Sequence, residues 1–220
     1  MRYDLIIFDM DGTVLDTLRD LTESANHALR VCGFPERTID EVRSFVGNGI
    51  ANLIKRCVPE ETCEEKCREV HKAFTAHYTE HCSDNTKPYN GIPELLIKLR
   101  ESGCKTAVVS NKADYAVQKL CQQYFPEMFD AAAGEQMPKY PKKPSPELVY
   151  MIMDKLGCSK EQTVYIGDSD VDIMTARNAG TDCIAVEWGF RSREFLLEHG
   201  AKTIVSDVSS LERLLTENPQ

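Results

Sequence analysis

From Pro88 onward the chain alternates short apolar runs with amphipathic stretches of helix length, and this alternation restricts its fold more than any other feature. Lys105–Val109, Phe129–Ala133, Thr163–Ile166 and Asp182–Val186 read as strands. Ile92–Ser102, Ala113–Tyr124, Glu147–Leu156 and Asp170–Ala179 read as the helices between them, with Gly103 and Gly157 as C-terminal stops. Ser192–His199, Thr203–Val205 and Val208–Leu215 carry the pattern onward, and the proline-rich Met137–Pro146 is a loop. Strands separated by helices form a parallel sheet covered on both faces. Asp4–Asp9, built on Leu5-Ile6-Ile7-Phe8, supplies one more strand. Between it and Pro88 lies a region without a strand candidate. Leu18, Leu21, Ala25, Ala28 and Leu29 recur at helical spacing. Ile39, Val42, Phe45–Val46, Leu53, Ile54 and Cys57 follow, then an amphipathic stretch from about Glu60 to His81 with Val70, Phe74 and Tyr78 on one side. This is a helical subdomain inserted after the first strand.

The 220 residues carry a net charge of −9, which disfavours non-specific binding to nucleic acid but allows a small anionic substrate at a local site. The four-residue apolar run near the N-terminus is too short for a secretory signal, and no segment approaches membrane-spanning length. The expectation is a cytoplasmic protein with no membrane partner; oligomeric state is not legible. Nine cysteines without a C-x-x-C pair are expected as free thiols. Cys63, Cys67 and His71 share one helical face, which reads as packing rather than zinc because a fourth ligand is missing.

Sites in parallel sheets form beyond the carboxyl ends of the strands. Asp9 and Asp11 follow the first strand and, two residues apart, share a face before Gly12-Thr13 breaks it. Carboxylates this close repel and call for a cation. Ser110, Asn111 and Lys112 follow Val108-Val109. The proline-rich loop carries Lys142-Lys143-Pro144-Ser145-Pro146, and Gly167-Asp168-Ser169-Asp170-Val171-Asp172 follows Tyr165-Ile166. Singly these are a turn residue, a helix cap, a solvated lysine and an acidic first turn. Together they suit one phosphate and one hard cation. Carboxylates fit magnesium; a hydroxyl, backbone N–H groups and an ammonium fit a transferring phosphoryl group.

Asp9-x-Asp11-Gly12-Thr13, Ser110, Lys143-Pro144-x-Pro146 and Gly167-Asp168-x-x-x-Asp172 resemble the haloacid dehalogenase-like superfamily of phosphohydrolases. Asp16-Thr17-x-x-Asp20-Leu21, Val46-Gly47-Asn48-Gly49, Gly91-x-Pro93-Glu94-Leu95-Leu96 and Asn178-Ala179-Gly180 are most similar to its phosphoglycolate phosphatase group. The resemblance implies a Rossmann-like α/β core over residues 1–16 and 88–220 and an all-helical cap over 17–87, hinged near Val14–Leu18 and Ser83–Tyr89. It implies a Mg²⁺-dependent phosphatase acting on a small phosphorylated metabolite through an aspartyl-phosphate.

Asp9 would be the nucleophile and Asp11 the general acid and base. Asp9, Asp168 and the Asp11 backbone carbonyl would hold the metal. Ser110, the Asn111 N–H and Lys143 would bind the phosphoryl group, Lys-Pro-x-Pro spacing favouring Lys143 over Lys142. Asp172 would orient Lys143 or water, with Thr13 in support. Gly47, Asn48 and Gly49 would form a cap loop facing the leaving group, or else an ordinary turn. Trp188 reads as a packed aromatic, with Gly189-Phe190-Arg191 near the entrance. The closest rival is a sugar-phosphate mutase, whose relatives carry histidine where this chain has Leu21. Nucleotide or pyrophosphate hydrolysis stays open. Dehalogenases lack the carboxylate of Asp11, and a non-enzymatic module would be expected to lose one of Asp9, Asp11, Lys143 or Asp168.

Overall fold

Leu5, Ile6, Ile7 and Phe8 are apolar at every position, so neither face of their strand can meet water. In the computed structural model, which describes residues 2–216, they form β1 (Leu5–Phe8) inside a six-stranded sheet. A short antiparallel ribbon pairs β2 (Leu15–Asp16) with β3 (Lys87–Pro88). The remaining strands are β4 (Lys105–Ala113), β5 (Ala131–Glu135), β6 (Thr163–Gly167), β7 (Asp182–Val186) and β8 (Ile204–Val205). The main sheet runs β5-β4-β1-β6-β7-β8 and every pair is parallel. The chain steps outward on one side of β1 and then crosses to the other, so the crevice at the switch point opens above β1.

Four helices separate β2 from β3: α1 (Leu18–Val31), α2 (Ile39–Phe45), α3 (Ile50–Cys57) and α4 (Glu64–His81). The core adds α5 (Ile92–Glu101), α6 (Asp114–Tyr124), α7 (Glu147–Leu156), α8 (Asp170–Ala179), α9 (Arg193–Glu198) and α10 (Val208–Thr216). Strand alternation divides the core. Ile6 and Phe8 pack on one face with Leu95, Leu99, Val117, Leu120 and Leu211. Leu5 and Ile7 pack on the other with Leu148, Val149, Ile152 and Ala176. Each such buried side chain is worth about 1.5–3 kcal/mol. The first cluster continues into the insertion through Leu21, Ala25, Leu29, Val70, Phe74 and Tyr78. Buried Asp20 closes the base of the insertion, accepting hydrogen bonds from the backbone N–H groups of Asn85 and Thr86 and from the Thr86 hydroxyl.

Three expectations shift. The second strand of the sequence reading stops at Val109, but β4 continues through Ser110, Asn111 and Lys112, with a register irregularity before Ala113. Apolar patterning ends where the strand begins to face a polar site, so it underestimates the strand. The expected strand at Phe129–Ala133 lies two residues later, because Phe129 packs edge-on against Phe8 and Phe125. The β2–β3 ribbon is too short to leave a periodic signal. No helix among the described residues is long and apolar enough to cross a membrane.

Candidate active site

β1 delivers Asp9 to the crevice: its N–H continues the ladder to Ile166 O at 2.8 Å, and its Oδ1 accepts from Met10 N at 2.7 Å. Lys143 Nζ lies 3.0 Å from Asp9 Oδ1 and 2.7 Å from Asp172 Oδ1. It also bonds the hydroxyl of Tyr165, which donates to Val109 O at 2.7 Å. Asp172 is steered by the capping box that starts α8, its Oδ2 accepting from Ser169 N and Oγ. Asp168 Oδ1 accepts from Thr13 Oγ1 at 3.2 Å, and Oδ2 from Phe190 N at 2.7 Å. Side-chain oxygens of Asp9, Asp168 and Asp172 lie within 4.8 Å of one another. Asn111 pins Lys143 through its backbone, Oδ1 accepting from Lys143 N at 2.7 Å and Nδ2 donating to Lys143 O at 3.1 Å. Gly12 makes the approach of Asp168 possible: its φ is +81°, and a Cβ there would stand 2.4 Å from Asp168 Oδ2.

Three buried carboxylates face one ammonium, an excess of two negative charges. Burial pushes Asp9 up to about 6; Asp172 and Asp11 add to the rise, while Lys143 and the Ser110 hydroxyl oppose it. Burial, then Asp172 and Asp9, drives Asp168 well above the ordinary carboxylate range. Burial alone would discharge Lys143, but Asp172 and Asp9 outweigh it and hold its ammonium well above the usual value. A hard divalent cation is the group that such a donor set accommodates, since it offsets the excess charge and takes oxygen ligands.

The Asp11 side chain stands apart from the carboxylate cluster. Its Oδ1 accepts from Thr17 Oγ1 at 2.7 Å and from Lys112 Nζ at 2.8 Å. Lys112 is buried and also meets the hydroxyl of Tyr78, on α4, at 2.5 Å. Asp9, Asp11, Ser110, Asn111, Lys112 and Asp168 border a cavity of about 50 Å³, which the insertion lines with Leu21, Val46, Gly47, Gly49, Ile50 and Tyr78. Gly47 and Gly49 thus line the cavity, whereas Asn48 presents its carbonyl to Lys142 Nζ at 2.8 Å. The adjacent lysines are therefore divided, Lys143 in the carboxylate cluster and Lys142 on the insertion. Cys63 is exposed at the start of α4, and the aspartates form the only converging ligand group among the described residues.

Sequence reasoning gave no specific role to Lys112, Thr17, Tyr78 or Tyr165, and placed Arg191 only near the entrance. Lys112 had a signal, because strand alternation places it on the face of Ser110. Tyr78 was legible as a buried helix position, but its hydroxyl partner comes from a distant strand. Trp188 packs near Tyr89 and donates from Nε1 to Thr13 O at 3.1 Å.

A family model for haloacid dehalogenase-like hydrolases matches residues 6–186. The chain is 34% identical to the phosphoglycolate phosphatase of Aquifex aeolicus over 187 residues, covering 84% of this chain and 85% of that protein. It is 31% identical to the phosphoglycolate phosphatase of Vibrio cholerae, with 94% of each covered. The crystal structure of a candidate phosphoglycolate phosphatase from Lactobacillus delbrueckii subsp. bulgaricus superposes with a TM-score of 0.94 at 38% identity, covering 99% of this chain and 100% of that one.

Proposed function

The chain belongs to the haloacid dehalogenase-like hydrolase family and is a phosphomonoester hydrolase, and we propose that it removes phosphate from a small carboxylated ester, phosphoglycolate or a close relative, with Mg²⁺ as cofactor. The observation that carries this reading is the convergence of Asp9, Asp168, Asp172 and Lys143, with Asp9, Asp11 and Asp168 lining one small cavity. The reading divides the chain into a core over 1–16 and 88–220 and a cap over 17–87; the pairing of β2 with β3, at the two ends of the insertion, supports that division.

Asp9, Asp168 and the Asp11 carbonyl would hold the metal, which when bound supplies Lewis acidity and offsets repulsion between nucleophile and phosphate. Asp9 attacks phosphorus and takes the phosphoryl group as an aspartyl-phosphate. The bond to the leaving oxygen breaks as Asp11 donates its proton there; Asp11 then takes a proton from the water that hydrolyses the intermediate. Ser110, the Asn111 N–H and Lys143 hold the phosphoryl oxygens, while Asp172 keeps Lys143 aimed and Thr13 holds Asp168. A cavity of about 50 Å³ suits a small leaving group. Leu21 lines that cavity where the mutase relatives carry histidine, which favours hydrolysis over transfer to a second sugar oxygen.

A panel of phosphomonoesters, assayed for phosphate release with Mg²⁺ and with a chelator, tests the assignment. Phosphoglycolate is expected at the top of the ranking by specificity constant, with activity lost on chelation. Metal-independent turnover, or a hexose phosphate isomerised without free phosphate, would displace this reading.

Metal and proton compete for the same carboxylates. Between the ordinary carboxylate range and about pH 6, the folded metal-free chain keeps on Asp9 a proton that the unfolded chain has lost. Its stability therefore falls as pH rises through that window. Mg²⁺ should raise Tm more at pH 7.5 than at pH 5, read by thermal melts; equal gains at both would contradict the assignment of Asp9 as a ligand.

A further inference from the structure

Arg191 belongs to the core loop after β7, yet its guanidinium reaches carbonyls of the helical insertion. Nη1 donates to Arg43 O at 2.7 Å; Nη2 donates to Val46 O at 2.7 Å and to Ser44 O at 3.4 Å. α2 ends at Phe45, so its last carbonyls lack partners within the helix and carry the negative end of its dipole. A planar cation with several donors satisfies them together. The two carbonyls that follow Val46 are held from the core as well: Asn111 Nδ2 donates to Gly47 O at 3.2 Å, and Lys142 Nζ to Asn48 O at 2.8 Å. Three consecutive carbonyls are thus fastened by three separate core segments. Val46, Gly47 and Gly49 are also cavity wall, as are Phe190 and Arg191.

We infer that Arg191 is a specificity-determining latch: by holding α2 and the segment Val46–Gly49 against the core, it keeps the cavity small and turns away bulky leaving groups. The inference deepens the small-substrate reading and rests on it. The same loop reaches the carboxylate cluster, since Phe190 N bonds Asp168 and Trp188 Nε1 bonds Thr13 O. The latch therefore closes from a loop already fixed to the reacting centre.

The experiment compares wild type, Arg191→Met and Arg191→Lys on phosphoglycolate and on the bulkier p-nitrophenyl phosphate. In Arg191→Met, kcat/KM for phosphoglycolate should fall by on the order of 10- to 100-fold, while that for p-nitrophenyl phosphate holds or rises. Arg191→Lys, keeping one cation, should fall between. Loss of the same factor for both esters, as general structural weakening would give, overturns the proposal. Hydrogen exchange over residues 39–49 reads the latch without activity. Faster exchange is expected in Arg191→Met, where the Val46 N–H bond to Val42 O frays, and unchanged exchange overturns the latch. A wild type that does not prefer the smaller ester removes the small-substrate reading and the size filter, while the exchange result still reports on the contact itself.

Discussion

Asp9→Asn leaves a folded protein whose phosphatase turnover is about 10⁴-fold lower or less, the scale expected when a covalent nucleophile is removed. The substitution preserves shape and takes one negative charge from a cluster of three buried carboxylates. Metal-free Asp9→Asn should therefore melt at or above the wild-type temperature while losing activity. That pairing separates chemistry from folding. In the wild type, rapid acid quenching during turnover should trap one phosphoryl group on the peptide that contains Asp9, read by mass spectrometry. A variant retaining more than a few per cent of turnover, or a phosphoryl group trapped elsewhere, sinks the aspartyl-phosphate mechanism.

Lys143→Met has the second large effect, and it strikes folding as well as chemistry. The Lys143 side chain is 2% exposed and bonds Asp9 and Asp172 together. Breaking a buried ion pair from one side strands the remaining charge, at about 3–5 kcal/mol. In a chain of this size, that lowers Tm by roughly 10 °C. Asp9, left without its ammonium, can take a proton, so the deficit should shrink from pH 8 to pH 5. Magnesium should restore part of the melting temperature, since it offsets the same charge, but not turnover, since the phosphoryl group has lost its ammonium. Thermal melts at both pH values, with and without magnesium, check this. A Tm equal to wild type at pH 8 would remove Lys143 from the balance of charge in the site.

Much of this was readable along the chain because the core motifs are local. A strand of Leu5 to Phe8 must be buried, and the residue that follows it must emerge at the carboxyl end of the sheet. Asp9 and Asp168 therefore announced themselves from the strands in front of them. The insertion was legible from helical spacing alone, because Leu21, Val70 and Phe74 each lie on a stripe that must face other helices. Less was legible where a strand turns polar. Ser110 to Lys112 belong to β4, but apolar patterning is blind to strand residues that face an active site rather than a core.

The sequence by itself determined the alternation that builds a parallel sheet, the helical insertion, and the acidic and basic residues at the strand ends, since each depends on neighbours a few residues apart. Only the tertiary structure decided which lysine enters the carboxylate cluster, that Lys112 meets both Asp11 and Tyr78, and that Arg191 caps α2. The hydrogen-bond partners in those contacts are 29 to 148 residues apart. Their pairing follows from how strands order themselves in a sheet and how the insertion docks on it, and no periodicity within a single segment records either.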